Sequence, residues 1–189
     1  MGFVAIDVET ANADPGSICQ LGVVAFEGTE VVETLDRLVD PEGPFHFGNV
    51  AVHGIRPADV RGAPRLPELY GDLERMMAGR IVVSHTPFDR AALARARARY
   101  GLAEFPCTWL DSARVARRAW PKYAKRGFGL GNLAADLGIR FAHHDAAEDA
   151  RAAGIVVLRA IETTGLSLAE WLVRVERPIA ARKAAPPRP

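Results

Sequence analysis

At 189 residues the chain has the size of one ordinary domain, long enough to bury a substantial core without disulfides or a structural metal. Nearly half of its residues are apolar (49%) and a quarter are charged (25%), and no stretch reaches the apolar length that spans a bilayer, so a soluble protein with no membrane partner is expected. With 24 basic against 23 acidic residues the net charge is +1, which is no polycationic signature, and any nucleic-acid binding has to come from where the charges lie. The first element is a strand-like run, Phe3 to Glu9, that begins with neither the basic n-region nor the apolar h-region of a secretory signal, which gives a cytoplasmic location as the expectation.

Two further strands, Ile18 to Glu27 and Glu30 to Val39, are rich in Val, Ile and Phe and are separated by turn-formers, so the first three strands are expected to be antiparallel neighbours. Cys19 in the second strand and Cys107 much later form no CxxC pair and read as buried free thiols. A Pro- and Gly-rich passage (Pro41 to Pro67) precedes a helix over Glu68 to Ala78, marked by Leu69, Leu73, Met76 and Met77. A strand over Arg80 to His85 then feeds a helix from Pro87 to Tyr100, whose Phe88, Ala92, Ala96 and Tyr100 share a face. After a short strand, Cys107 to Leu110, the chain reads as helical over Ser112 to Trp120, Gly131 to Leu137, Ala146 to Thr164 and Ser167 to Val175, with Gly138 closing the second of these. Strands first and helices later imply an α/β mixed five-stranded sheet, strands 1–3 antiparallel and the later strands added in parallel through crossovers, covered by helices. Residues 1–177 form the expected domain, and the Pro/Ala/Arg-rich stretch 178–189 a flexible tail or linker.

The chemistry is carried by acids. Asp7 and Glu9 close the first strand two residues apart, so their side chains face the same way, with Cα atoms about 6.6 Å apart. That separation lets both carboxylates reach metal ions about 4 Å from one another. Asp89 follows the fourth strand in His85-Thr86-Pro87-Phe88-Asp89, at the strand-to-helix edge where open sheets gather their ligands. His144 precedes Asp149 by five residues in His143-His144-Asp145-Ala146-Ala147-Glu148-Asp149, which puts His144 in a loop and Asp149 on the first turns of the long helix. Oxygen-only ligands favour two divalent ions, Mg²⁺ or Mn²⁺, over zinc, and a histidine with a pKa of about 6.5 suits removal of a proton from water near neutral pH.

Asp-x-Glu, an acid after His-x-x-Phe, and His with Asp five later resemble, in order and over residues 1 to about 165, the DEDDh subgroup of the DEDD exonucleases. Most similar are the DnaQ-like proofreading exonucleases, such as the epsilon subunit of DNA polymerase III. The resemblance implies a ribonuclease-H-like fold and 3′-to-5′ exonuclease activity with two divalent ions, releasing nucleoside 5′-monophosphates from the 3′ end of DNA or RNA. It makes Asp7, Glu9, Asp89 and Asp149 metal ligands and His144 the general base, with His143 the weaker candidate for that role. It implies that Val8, Thr10, His53 and Phe88 bind substrate, although Phe88 equally suits the core and His53 a bond within its own loop. Many relatives carry His-Asn where this chain has His85-Thr86. Asp111 matches a recurrent acid outside the metal shell and reads as a helix N-cap.

Between residues 112 and 130 the basic residues Arg114, Arg117, Arg118, Lys122, Lys125 and Arg126 are interleaved with Trp120, Tyr123 and Phe128 and with no acid. Such a stretch tracks single-stranded phosphates and stacks bases, or else it is a solvated helix face. The expected partners are the 3′ end of a single strand and replication or repair proteins. The rival readings are an RNA-directed exoribonuclease of the same fold and a non-catalytic nucleic-acid-binding module. A phosphatase built on Asp-x-x-x-Thr does not fit the spacing of Asp7 and Thr10.

Overall fold

A computed structural model describes residues 2–179. Five strands, β1 (Gly2–Thr10), β2 (Ile18–Glu27), β3 (Glu30–Leu38), β4 (Ile81–Ser84) and β5 (Thr108–Asp111), form one sheet in the order β3-β2-β1-β4-β5. The first three pair antiparallel, and β4 and β5 add in parallel beside β1. The helices are α1 (Phe47–His53), α2 (Leu66–Met77), α3 (Phe88–Arg99), α4 (Ser112–Ala119), α5 (Leu130–Leu137), α6 (Ala146–Thr164) and α7 (Leu168–Glu176). The strand and helix order expected from the sequence is present, with α1 as an addition inside the Pro- and Gly-rich passage. Of the expected tail, residues 180–189 lie outside the described range.

Central β1 is apolar at both parities because both of its faces are covered. Phe3 and Ala5 pack under α4, α5, α6 and α7, while Val4, Ile6 and Val8 pack under α2 and α3. Continuing the alternation, Asp7 and Glu9 fall on the α6 side. That helix seats close to the sheet through small residues, Ala146, Ala150, Ala153 and Gly154. Gly22, the β2 partner of Asp7, is what permits the approach, since a Cβ at Gly22 would collide with the backbone of Ala146 and Ala147. Only a residue without a side chain fits between strand and helix at that level.

Several details follow the sequence reading. Asp111 caps α4 by accepting the amide of Arg114 at 3.0 Å, and Gly138 ends α5 in the left-handed conformation at φ 68°. Others depart from it. Cys19 is buried, but Cys107 is half-buried. In α3 the inward face is Asp89, Ala92, Leu93 and Ala96, and Phe88 is turned to solvent at 45% exposure. No single helix among the described residues is long and apolar enough to cross a membrane.

Candidate active site

The C-terminal end of β1, the start of α3 and the start of α6 converge on a cleft of about 500 Å³. Asp7, Glu9 and Asp149 offer carboxylate oxygens that all lie within 4.8 Å of one another. Asp89 lines the same cleft and is held differently. Pairing of β1 with β4 covers Val4 and Ala5, and further along the amide of Val8 donates to Asp89 Oδ1 at 3.2 Å. This bond ties the strand that carries Asp7 and Glu9 to the helix that carries Asp89. The structure thus brings all four acids to one end of the sheet, three of them in close mutual contact.

Electrostatics confirm that these carboxylates crowd one another. Burial, followed by repulsion from Asp89, Asp149 and Glu9, raises the Asp7 pKa well above the ordinary carboxylate value. Burial and the charges of Asp149 and Asp89 push Glu9 up to about 8, and burial pushes Asp89 up to about 7 against the lowering effect of the Val8 amide. No arginine or lysine among the described residues is ion-paired with any of the four; their only ion-pair partners are histidines. A set of hard oxygen donors, two buried and two half-buried, and answered by no arginine or lysine among the described residues, has the chemistry of a divalent-cation site.

Both histidines of the pair reach this cluster. His144 Nδ1 lies 3.9 Å from Glu9 Oε1, while its backbone amide donates to Asp149 Oδ2 at 2.9 Å. His143 Nδ1 lies 2.9 Å from Asp149 Oδ1, and the two imidazoles stack at 3.9 Å. His144 has φ 69°, in the left-handed region uncommon for a residue with a side chain. Burial, then the neighbouring His143, lower the His144 pKa.

The remaining expected residues also line the cleft. Thr10 is buried, and Val8 contributes from a position whose side chain is in the core. His53 uses both ring nitrogens: Nδ1 accepts the Ile55 amide at 3.0 Å, so Nε2 carries the proton and donates to the Thr10 carbonyl at 3.2 Å. It holds its own loop and faces the cleft at once. Phe88 does not join the core; its ring stands exposed at the rim.

Helix α1, which sequence reasoning missed, supplies Gly48, Asn49 and Val52 to the same wall. None of its residues is buried, and it is held by polar bonds. Asn49 Nδ2 donates to the Thr10 carbonyl at 2.9 Å, and His46 caps the N-terminus. The available signals were His46 and Gly54, which adopts φ 78° as the helix ends. His85 was also passed over; its Nδ1 lies 2.8 Å from Ser112 Oγ and its Nε2 2.9 Å from the Phe128 carbonyl, which ties Phe128 to the wall of the cleft that His85 lines. Of the six basic residues in 112–130, Arg114 pairs with Glu176, Arg117 covers the Phe128 ring and bonds the Ala124 carbonyl, Arg118 bonds the Arg177 carbonyl, and Lys122 pairs with Asp136. Tyr123 is buried, and Phe128 is half-buried against the core.

The fold and the acidic edge together define a ribonuclease-H-like nuclease domain with a divalent-cation site. The family model for exonucleases of the RNase T type matches residues 4–157, and the chain belongs to that exonuclease family. The chain is 28% identical over 178 residues to the PolC-type DNA polymerase III of Streptococcus thermophilus, which covers 90% of this chain but 12% of that protein. It is 25% identical over 164 residues to the PolC-type enzyme of Halalkalibacterium halodurans, covering 85% of this chain and 11% of that one. The chain therefore spans about one eighth of the length of these relatives. Among solved structures, exonuclease X in complex with 5′-overhanging duplex DNA superposes with a TM-score of 0.73 at 22% identity, covering 92% of this chain and 98% of that one. Exonuclease I of E. coli with a dT13 oligonucleotide gives 0.72 at 18% identity, covering 86% and 41%.

Proposed function

We propose that the protein is a two-metal-ion enzyme that hydrolyses the last phosphodiester at the 3′ end of DNA and releases nucleoside 5′-monophosphates. Asp7, Glu9, Asp89 and Asp149 hold two Mg²⁺ or Mn²⁺ ions, and His144 takes the proton of the attacking water. The observation that carries this reading is the meeting of half-buried Asp7 and Glu9 with buried Asp149 and Asp89, paired with no arginine or lysine among the described residues, and with an imidazole 3.9 Å from Glu9. Bound there, two such ions would supply an acidified water and neutralise charge on the scissile phosphate. His144, with its pKa held down by burial, is neutral near pH 7 and able to accept a proton at a ring nitrogen. Exposed Phe88 gives the terminal base a ring to stack on, and Val8, Thr10 and His53 form the wall beside it.

Residues 1–177 make up this exonuclease domain, and among the described residues the last regular element ends at Glu176. A single-stranded 3′ end is the proposed substrate, in keeping with the oligonucleotide in the exonuclease I complex, and the PolC-type relatives support replication or repair proteins as partners. RNA is the second reading, favoured by a structural neighbour described as a 3′-exonuclease that recognises the histone mRNA stem-loop, at a TM-score of 0.70 and 14% identity.

The test uses 5′-labelled DNA and RNA, single- and double-stranded, with Mg²⁺, Mn²⁺ or EDTA. Product ladders shortening from the 3′ end with metal and not with EDTA are expected, with DNA the faster substrate. His144→Ala should slow release by about 10²–10⁴-fold while circular dichroism is unchanged. No metal-dependent shortening, or wild-type turnover by folded His144→Ala, would refute the reading.

A further inference from the structure

Asp149 is the only one of the four acids whose carboxylate meets donors from two consecutive residues. Its Oδ1 receives the His143 ring at 2.9 Å and its Oδ2 the His144 amide at 2.9 Å, with the carboxylate side chain 5% exposed. An ionised carboxylate only accepts, so Nδ1 of His143 must carry a proton, which a neutral imidazole can supply. With a donor on each oxygen the carboxyl plane cannot rotate, and the remaining lone pairs are left for the Asp7 and Glu9 side. The His143 ring, although 45% exposed, has neighbours of its own. It stacks on His144 at 3.9 Å with 14° between planes, packs on Phe141 at 5.2 Å, and lies beside Gly131, where a Cβ would sit 3.5 Å from it.

We propose that His143 is a positioning residue: it locks the orientation of the Asp149 carboxylate, so that divalent-ion affinity, rather than proton transfer, depends on it. The two adjacent histidines then divide the work, 143 holding a ligand and 144 facing the water. Hydrogen bonds to metal-ligating carboxylates commonly set affinity by 10–100-fold. Its consequence for catalysis rests on the exonuclease reading above, but its effect on ion binding does not.

The experiment measures Mn²⁺ binding to the nucleic-acid-free protein by electron paramagnetic resonance, for wild type, His143→Ala, His143→Asn and His144→Ala. His143→Ala should weaken binding about tenfold or more. His143→Asn, whose amide places a donor near the lost Nδ1, should recover most of that loss, and His144→Ala should bind within about threefold of wild type, because the backbone amide at 144 remains. In turnover assays the His143→Ala defect should disappear at saturating Mg²⁺ and the His144→Ala defect should persist. Wild-type Mn²⁺ affinity in His143→Ala, or no recovery in His143→Asn, would overturn the proposal, as would a turnover defect that saturating metal leaves untouched. Because ion binding is read without substrate, an inactive wild-type protein would sink the exonuclease reading and leave this result to stand or fall separately.

Discussion

Two charged regions of this molecule look alike as sequence features and differ in what the fold does with them. The basic stretch 112–130 arrives with six cations, and four of them are spent inside the protein on Glu176, Asp136, the Phe128 ring and backbone carbonyls; only Lys125 and Arg126 lack a partner among the described residues. The acidic edge arrives as four carboxylates from three separate elements, and the fold presses three of them together with no cation to answer them. Charges that a fold neutralises internally are structure, and those it leaves in conflict are available for a ligand.

Replacing an acid should break this contrast most forcefully. Asp7→Asn is expected to cut nucleotide release on the order of 10³-fold. The same substitution should stabilise the metal-free protein. The folded-state pKa values of Asp7, Glu9 and Asp89 are raised, so their protonated forms contribute stability that is present below about pH 4 and lost as pH rises, through about 7 for Asp89 and about 8 for Glu9, with Asp7 acting in the same direction. Melting curves in EDTA should therefore show wild type losing stability from pH 5 to pH 8, Asp7→Asn losing less, and added Mg²⁺ restoring the wild type. Each kcal/mol recovered raises the melting temperature by roughly 2–4 °C. A flat wild-type profile in EDTA would mean that the conflict is already relieved.

A smaller effect sharpens the other side. The double variant Lys125→Ala with Arg126→Ala should lower the slope of log binding constant for single strands against log salt by about 1.4, whereas Lys122→Ala should leave the slope unchanged and cost stability instead. Equal slopes in all three proteins would remove the basic stretch from strand binding altogether.

The smallest effect concerns the loop between β4 and α3. Thr86 sits at φ 79°, a conformation that a β-branched residue resists and asparagine tolerates. Asparagine is what many DEDDh exonucleases carry there. Thr86→Asn should raise stability by about 1 kcal/mol. An unchanged or lowered melting temperature would show that the Thr86 contacts offset the strain.

How much of this was legible in the sequence depended on whether a residue's role was local. Asp7 and Glu9 could be placed because strand alternation fixes their direction, and Asp149 because a helix start follows His144 at a set distance. Helix α1 could not, since it buries no side chain and so leaves no apolar rhythm to read. Phe88 carried two readings, substrate contact or core, and only the fold shows its ring exposed, while Asp89, placed at the cation edge by its position after β4, turns inward and accepts the Val8 amide. The basic stretch stayed open between strand binding and a solvated face, because Glu176 and Asp136, which answer Arg114 and Lys122, lie 62 and 14 residues away. His143 was ranked below His144 by spacing, a criterion that addresses only one of the two jobs a histidine can do here.

Gly22 has no functional group, yet it sets the clearance between the sheet and the first turn of α6. Adding one methyl there would lift the turn that carries Asp149 away from the strand that carries Asp7, without altering any chemically active side chain. The tolerance of the centre is thus governed from the neighbouring strand, on the same face as Asp7, by an atom that is missing. Gly22→Ala would act as a shim, and the chemistry would be detuned by thickness alone.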